Sequence, residues 1–173
     1  MNSRLKKMMF CALFTAMCAV FSQIYIPLPS MVPINLATAA VFMAGVLLGP
    51  RYGTASMVVY IALGAVGVPV FSGLNGGIVY LAGPTGGFII GYAAAAFVIG
   101  LAAKNKDSYL VLCGAMALGM LTYFVLGTSW FMISTSSPLG TALMACVLPF
   151  IPGDLLKIAL AAMLCRRLKK VVE

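Results

Sequence analysis

The 173-residue chain contains no histidine. That absence excludes Ser-His-Asp triads, His-ligated metal centres and imidazole proton relays. Acids are almost as scarce: Asp107, Asp154 and Glu173 are the complete set, and no two of them form a carboxylate pair for acid–base or metal chemistry. The cysteines, Cys11, Cys18, Cys113, Cys146 and Cys165, show no CxxC spacing and read as small apolar packing residues rather than disulfide or metal ligands. Charged residues make up 8% of the chain, against about 25% in a typical soluble domain. No internal repeat and no low-complexity tail is evident. What fills the chain is apolar: 63% of residues, with a mean hydropathy of +1.11. An ordinary soluble domain is excluded, a membrane enzyme is the weakest alternative because hydrolytic or metal chemistry lacks its groups, and a polytopic membrane protein forming one domain over 1–173 is expected, with no catalytic residues, metal or cofactor.

The few charges mark the topology. Arg4, Lys6 and Lys7 open the chain, Arg51 stands alone, Lys104, Lys106 and Asp107 form a third group, and Arg166, Arg167, Lys169, Lys170 and Glu173 close it. Asp154 and Lys157 stand apart from these groups. The uncharged tracts 8–50, 52–103 and 108–153 are each too long for one span of about 20 residues and suit two. Lys and Arg are retained on the cytoplasmic side. With both termini, Arg51 and the 104–107 loop inside, ten of the eleven cations are accounted for. The outer connections, 27–34, 68–86 and 131–152, then carry none. The expected fold is an all-α bundle of six transmembrane helices with cytoplasmic N- and C-termini.

The helices are predicted at Met8–Ile26, Ile34–Gly49, Arg51–Val68, Thr85–Lys104, Ser108–Trp130 and Gly153–Leu168. Pro27, Pro29 and Pro33 end the first, because proline cannot continue a helix and restricts the residue before it. Trp130 is expected at the outer interface, and residues 138–149 form a short helix on or re-entering that side. The first 22 residues have the basic-then-apolar order of a secretory signal, but no convincing small-x-small cleavage site follows. The net charge of +8 flanks helices, which fits topology and anionic lipid rather than nucleic acid.

Asp154 and Lys157 lie just inside the last span. An ionisable residue at a helix centre costs about 2.5–3.5 kcal/mol on insertion scales and usually marks function. A spacing of three puts both on one helix face. The preceding Pro-Gly places Asp154 in the first turn, where free N–H groups and the positive dipole end favour a carboxylate. Three readings stand: an internal salt bridge locking the last helix, a polar anchor for a solute, or a proton carrier at Asp154.

The outer stretch 67–92, GVPVFSGLNGGIVYLAGPTGGFIIGY, holds seven glycines between Gly67 and Gly87. Irregular backbone at membrane depth must be buried in protein or line a cavity, so this stretch reads as a pocket wall or lid. Phe71 and Tyr80 are candidate apolar faces, and Asn75 a combined donor and acceptor. No Gly-Lys-Ser/Thr follows, so it is not a phosphate loop; the alternative is that the glycines only ease helix packing. Ala12 and Ala16, continued by Ala19, form a small-residue stripe that permits close helix approach.

With GVPVFSGLNGG (67–77), LAGPTGGFIIGY (81–92) and PFIPGDLLKI (149–158) in this order, the chain resembles the BioY family, the biotin-specific S components of energy-coupling factor (ECF) transporters. The resemblance implies a six-helix protein of the bacterial cytoplasmic membrane that captures biotin from outside. It also implies a shared energising module, made of a transmembrane T component and two ATP-binding subunits. Lys157 and Asp154 match the family's charged ligand pair, Asn75 its polar loop contact, and Ala12 and Ala16 the AxxxA motif facing the T component. An arginine contact in the fourth helix has no clear match here. A mostly apolar pocket with one cation and one carboxylate suits biotin, with the carboxylate expected at Lys157 and the ureido N–H at Asp154 or Asn75. The alternatives are a self-sufficient proton-coupled carrier and an S component for another small vitamin.

Overall fold

The computed structural model describes residues 3–29 and 31–172; Glu173, the acid of the closing charge group, lies outside the described residues with Met1, Asn2 and Ser30. Seven helices and one short hairpin follow in order: α1 (Ser3–Ser22), β1 (Tyr25–Ile26), β2 (Ile34–Asn35), α2 (Ala37–Ala65), α3 (Ile78–Ala82), α4 (Gly86–Ala102), α5 (Tyr109–Thr135), α6 (Leu139–Cys146) and α7 (Ile151–Val172).

The element α2 is folded back on itself. Gly49 adopts φ 74 and ψ −176, a left-handed value that glycine reaches without a Cβ penalty, and Pro50 follows it. A Cβ on Gly53 would stand 2.8 Å from the Ala44 carbonyl oxygen. Nine residues of continuous helix would separate these positions by about 13 Å, so the chain reverses between them. The predicted boundary between the second and third helices therefore falls where the sequence puts it, but both arms are shorter than expected. Residues 37–48 form a helix of about 18 Å, below the roughly 30 Å of a hydrocarbon core.

Other ends also move. Residues 24–26, expected as the end of the first helix, are extended, and Tyr25 and Ile26 pair antiparallel with Asn35 and Ile34. Prolines 27, 29 and 33 lie around this turn and exclude helix from it. The helix expected from Ile34 accordingly begins at Ala37. The helix α3 inside the glycine-rich stretch was not expected, whereas the short helix predicted within 138–149 is present as α6. The fifth helix runs past Trp130 to Thr135, where Ser136 at φ 53 ends it. α1 and α5 are long and apolar enough to cross a membrane, as is the α6–α7 pair taken together, bent by 47°; α2 has that length only when its two arms are counted as one. α4 is apolar but shorter.

Small residues let the helices approach closely. Gly45 and Gly119 face Ile99, Gly100 faces Pro50, Gly91 faces Tyr123 and Gly127 faces Phe88, each with no room for a Cβ. These helical glycines thus serve packing, while Gly67, Gly73 and Gly77 of the loop take positive φ. Contacts also gather the cations at one end of the bundle. Lys7 lies over the Tyr52 ring at 5.6 Å, and Lys169 donates to Asp107 at 2.7 Å and to the Lys106 carbonyl at 2.5 Å. Lys169 holds the exposed Asp107 carboxyl below its ordinary range. The five cysteines are unpaired.

Candidate functional site

At the opposite end, Pro152 occupies the first turn of α7, where a missing N–H costs nothing, and Asp154 follows in that turn with 1% exposure. Lys157 lies one turn deeper, and its ammonium sits 2.7 Å from Asp154 Oδ1. The ion pair considered as one alternative is therefore made. It is also fully built into its surroundings. Lys157 donates to the Asn35 carbonyl at 2.6 Å and to Thr38 Oγ1 at 3.0 Å, which with Asp154 occupies all three of its N–H groups. Thr38 in turn donates to Asp154 Oδ1 at 3.2 Å, and Tyr123 donates its hydroxyl to Asp154 Oδ2. A buried ion pair is tolerated when its remaining valences are satisfied in this way.

The pair also borders open space. A cavity of about 20 Å³ is lined by Asp154, Lys157, Asn35, Thr38, Tyr92 and Tyr123, with Val32, Pro33, Phe88 and Phe150 as apolar walls. A second, of about 30 Å³, shares Asn35 and Tyr92 with the first and extends to Phe71, Ser72, Tyr80 and Thr85. Tyr80 and Thr85 also line a third, wider cavity of about 260 Å³ at the surface, with Met31, Val79 and Pro84. The three cavities thus adjoin one another, with shared wall residues between them, from the surface to the ion pair. Ligand pockets usually measure about 300–1,000 Å³, so a small molecule reaches the pair only if the covering segments move outward. Those segments are 31–35 and the glycine-rich loop.

The loop is ordered by side chains that the sequence reading did not single out. Gln23, just past α1, donates to the Phe71 carbonyl at 3.1 Å and accepts from the Leu74 N–H at 2.9 Å. Ser22 donates to Val70 O. Phe71 is buried, with its ring centroid 5.4 Å from Tyr80 in a stacked arrangement and 5.6 Å from Tyr60 edge-on, over Gly64. Phe71 and Tyr80 therefore stack against each other in the wall of the second cavity. Asn75 lies next to Tyr80 but outside the cavity wall: it is exposed, its backbone pairs with Phe71, and its amide donates to Ser72 O at 2.8 Å. Asn35, Thr38, Tyr92 and Tyr123 are the polar lining residues the sequence reading missed. Asn35 alone carried a signal, since its position two residues before a helix suits a capping side chain, and Oδ1 does accept from the Ala37 N–H at 3.1 Å. Ala12 and Ala16 are far from this site, on the exposed face of α1.

Comparison with known proteins gives a consistent picture. The family model described as "BioY family" matches residues 1–173. A probable biotin transporter BioY of Pyrococcus horikoshii is 37% identical over 164 residues, covering 95% of this chain and 96% of that one. The biotin transporter BioY of Thermotoga maritima is 36% identical over 168 residues, covering 96% and 98%. Among solved structures, the S-component for biotin from an ECF-type ABC transporter superposes with a TM-score of 0.89 at 34% identity, covering 98% of this chain and 93% of that one.

Proposed function

The chain belongs to the BioY family, and from that premise we propose that it is the biotin-binding S component of an ECF-type vitamin uptake transporter. It is a transport protein, not an enzyme. In this reading it crosses the cell membrane six times with both termini in the cytoplasm, so that the cation-rich end faces inward and the Asp154 end outward. It works with a transmembrane T component and two ATP-binding subunits, and biotin is its substrate rather than a cofactor.

The observation that carries the proposal is the buried Asp154–Lys157 pair beside a chamber with aromatic and apolar walls. The pair is neutral as a whole. A ligand carboxylate placed there would leave a net negative charge in a medium where an uncompensated charge costs several kcal/mol, by order of magnitude. A neutral urea leaves the balance intact. The ureido oxygen accepts from Lys157 in place of one of its present acceptors, Asp154 accepts a ureido N–H, and the ring lies against Phe88 and Tyr92. The valeryl carboxylate then points along the adjoining chambers toward Tyr80 and Thr85. This orientation reverses the expectation drawn from the residue types alone, and burial is the reason.

Titration of the purified protein with biotin, thiamine and riboflavin tests the proposal. Biotin alone is expected to bind tightly, and Lys157→Ala to weaken it by at least about tenfold. Preference for either other vitamin would redirect the reading to another substrate. Uptake into vesicles containing this chain alone, sensitive to a pH gradient, would favour the proton-coupled carrier instead.

A further inference from the structure

The two inner chambers share Val32, Pro33, Asn35, Phe88 and Tyr92 as common walls. Asn35 and Tyr92 are the polar members of that set. Asn35 is tied into both halves of the site. Its backbone carbonyl accepts from Lys157 Nζ at 2.6 Å, and its side-chain Nδ2 donates to Ser72 Oγ of the glycine-rich loop at 2.8 Å. Its Oδ1 accepts from the Ala37 N–H at 3.1 Å. A primary amide offers two N–H donors and two lone pairs, so these two side-chain bonds leave one donor and one acceptor. The Tyr92 hydroxyl is a further hydrogen-bond partner of the same amide, and it is this partner that a ligand oxygen replaces. Because the Asn35 carbonyl touches the ammonium, its side chain lies within one residue's reach of Lys157.

We infer that Asn35 is a specificity-determining residue of the site, its second amide N–H donating to the ureido oxygen of the ligand beside Lys157. The inference rests on the biotin reading and on the ureido end lying at the ion pair. A urea carbonyl has two lone pairs, and a single ammonium N–H uses one of them. A second donor near the ammonium satisfies the other, and the Asn35 amide is a neutral donor held there by its own backbone contact with Lys157. The hydrogen bonds to Ser72 and to the Ala37 N–H fix the amide plane, so no ordering of this side chain is left for the moment of binding. The residue thereby separates ligands with a strong acceptor at this point from those without one.

The experiment compares biotin with 2-thiobiotin, whose ureido oxygen is replaced by sulfur, a poor acceptor, on the purified full chain. The variants are Asn35→Ala and Asn35→Ser; serine retains a hydroxyl able to accept from the Ala37 N–H. The unliganded melting temperature of each variant reports folding. The wild-type protein is expected to prefer biotin. Asn35→Ser is expected to weaken biotin about tenfold and 2-thiobiotin by less than about threefold, the range of one lost hydrogen bond to a buried polar group. Equal weakening of both ligands would mean that Asn35 acts through the fold alone and would overturn the inference. Unchanged affinity for both, or a wild-type protein that does not separate the two ligands, would overturn it as well. If Asn35→Ala does not fold, Asn35→Ser decides. A wild-type protein that binds no biotin would overturn the biotin reading itself, a result distinct from any of these.

Discussion

Asn35 and Lys157 are 122 residues apart in the chain, and the backbone carbonyl of the first accepts from the ammonium of the second at 2.6 Å. This bond fastens the end of the β1–β2 hairpin to the last helix, directly over the chamber beside Asp154. The same lysine therefore holds the covering segment closed and contributes to the floor beneath it. A ligand that takes an acceptor position on Lys157 competes with that closure.

The ion pair separates a structural lock from a binding site. Lys157→Met leaves the Asp154 carboxylate buried with its counter-charge gone, and loss of one partner of a buried pair costs about 3–5 kcal/mol. Adding Asp154→Asn removes the stranded charge, so the double variant is expected to recover most of the lost melting temperature. Biotin binding should stay absent in both variants. If the double variant binds biotin normally in a fluorescence or calorimetric titration, the pair serves the fold only.

The orientation of the ligand is tested by its tail. With the ureido end at the pair, neutralising the carboxylate as a methyl ester leaves the deep contacts untouched. Biotin methyl ester is then expected to bind within about tenfold of biotin, one exposed charge contact being worth at most about 1 kcal/mol. Loss of more than about a hundredfold, about 2.7 kcal/mol, would place the carboxylate on Lys157 instead.

The glycine-rich loop depends on one aromatic contact. A Cβ on Gly64 would fall within the ring of Phe71, and overpacking of this kind typically costs about 1–3 kcal/mol. Gly64→Ala is expected to lower the melting temperature and weaken biotin, because Phe71 and Tyr80 shape the second chamber together. Combining it with Phe71→Leu, which withdraws the ring, should restore part of the stability. A purely additive pair of effects would show that the two positions do not couple.

How much of this was legible in the sequence follows from which signals are local. Asp154 and Lys157 stood out because charge is rare here and a burial cost attaches to each. The reversal at Gly49–Pro50 was marked by the isolated Arg51, and the end of α1 by three prolines. Thr38, Tyr92 and Tyr123 carried no such mark: a threonine or tyrosine in an apolar helix looks alike whether it packs or bonds an acid across the bundle. Asn75 illustrates the converse. Its residue type suits a ligand contact, but its amide is used by Ser72 O within its own turn, as asparagine often does in loops. The lengths of the α2 arms were misread because charge spacing counts residues between turns without saying how many are helical.

Ala12 and Ala16 of the α1 stripe remain exposed, whereas Ala19 packs against the core. The opposite face of this helix is committed: Phe14, Thr15 and Cys18 are buried, and Thr15 donates to the Ser56 carbonyl at 2.8 Å. Ala12 and Ala16 point away from that contact and are exposed, so a large side chain there meets nothing within the chain. Ala12→Trp and Ala16→Trp are accordingly expected to change stability by no more than about 0.5 kcal/mol and to leave biotin affinity intact. In the proposed assembly the same tryptophans hold off any helix that docks on the stripe, since close approach depends on small residues. Uptake by cells, or recovery of the T component with the tagged variant, should fall sharply while binding persists. Normal uptake in both variants would show that the energising module contacts another face.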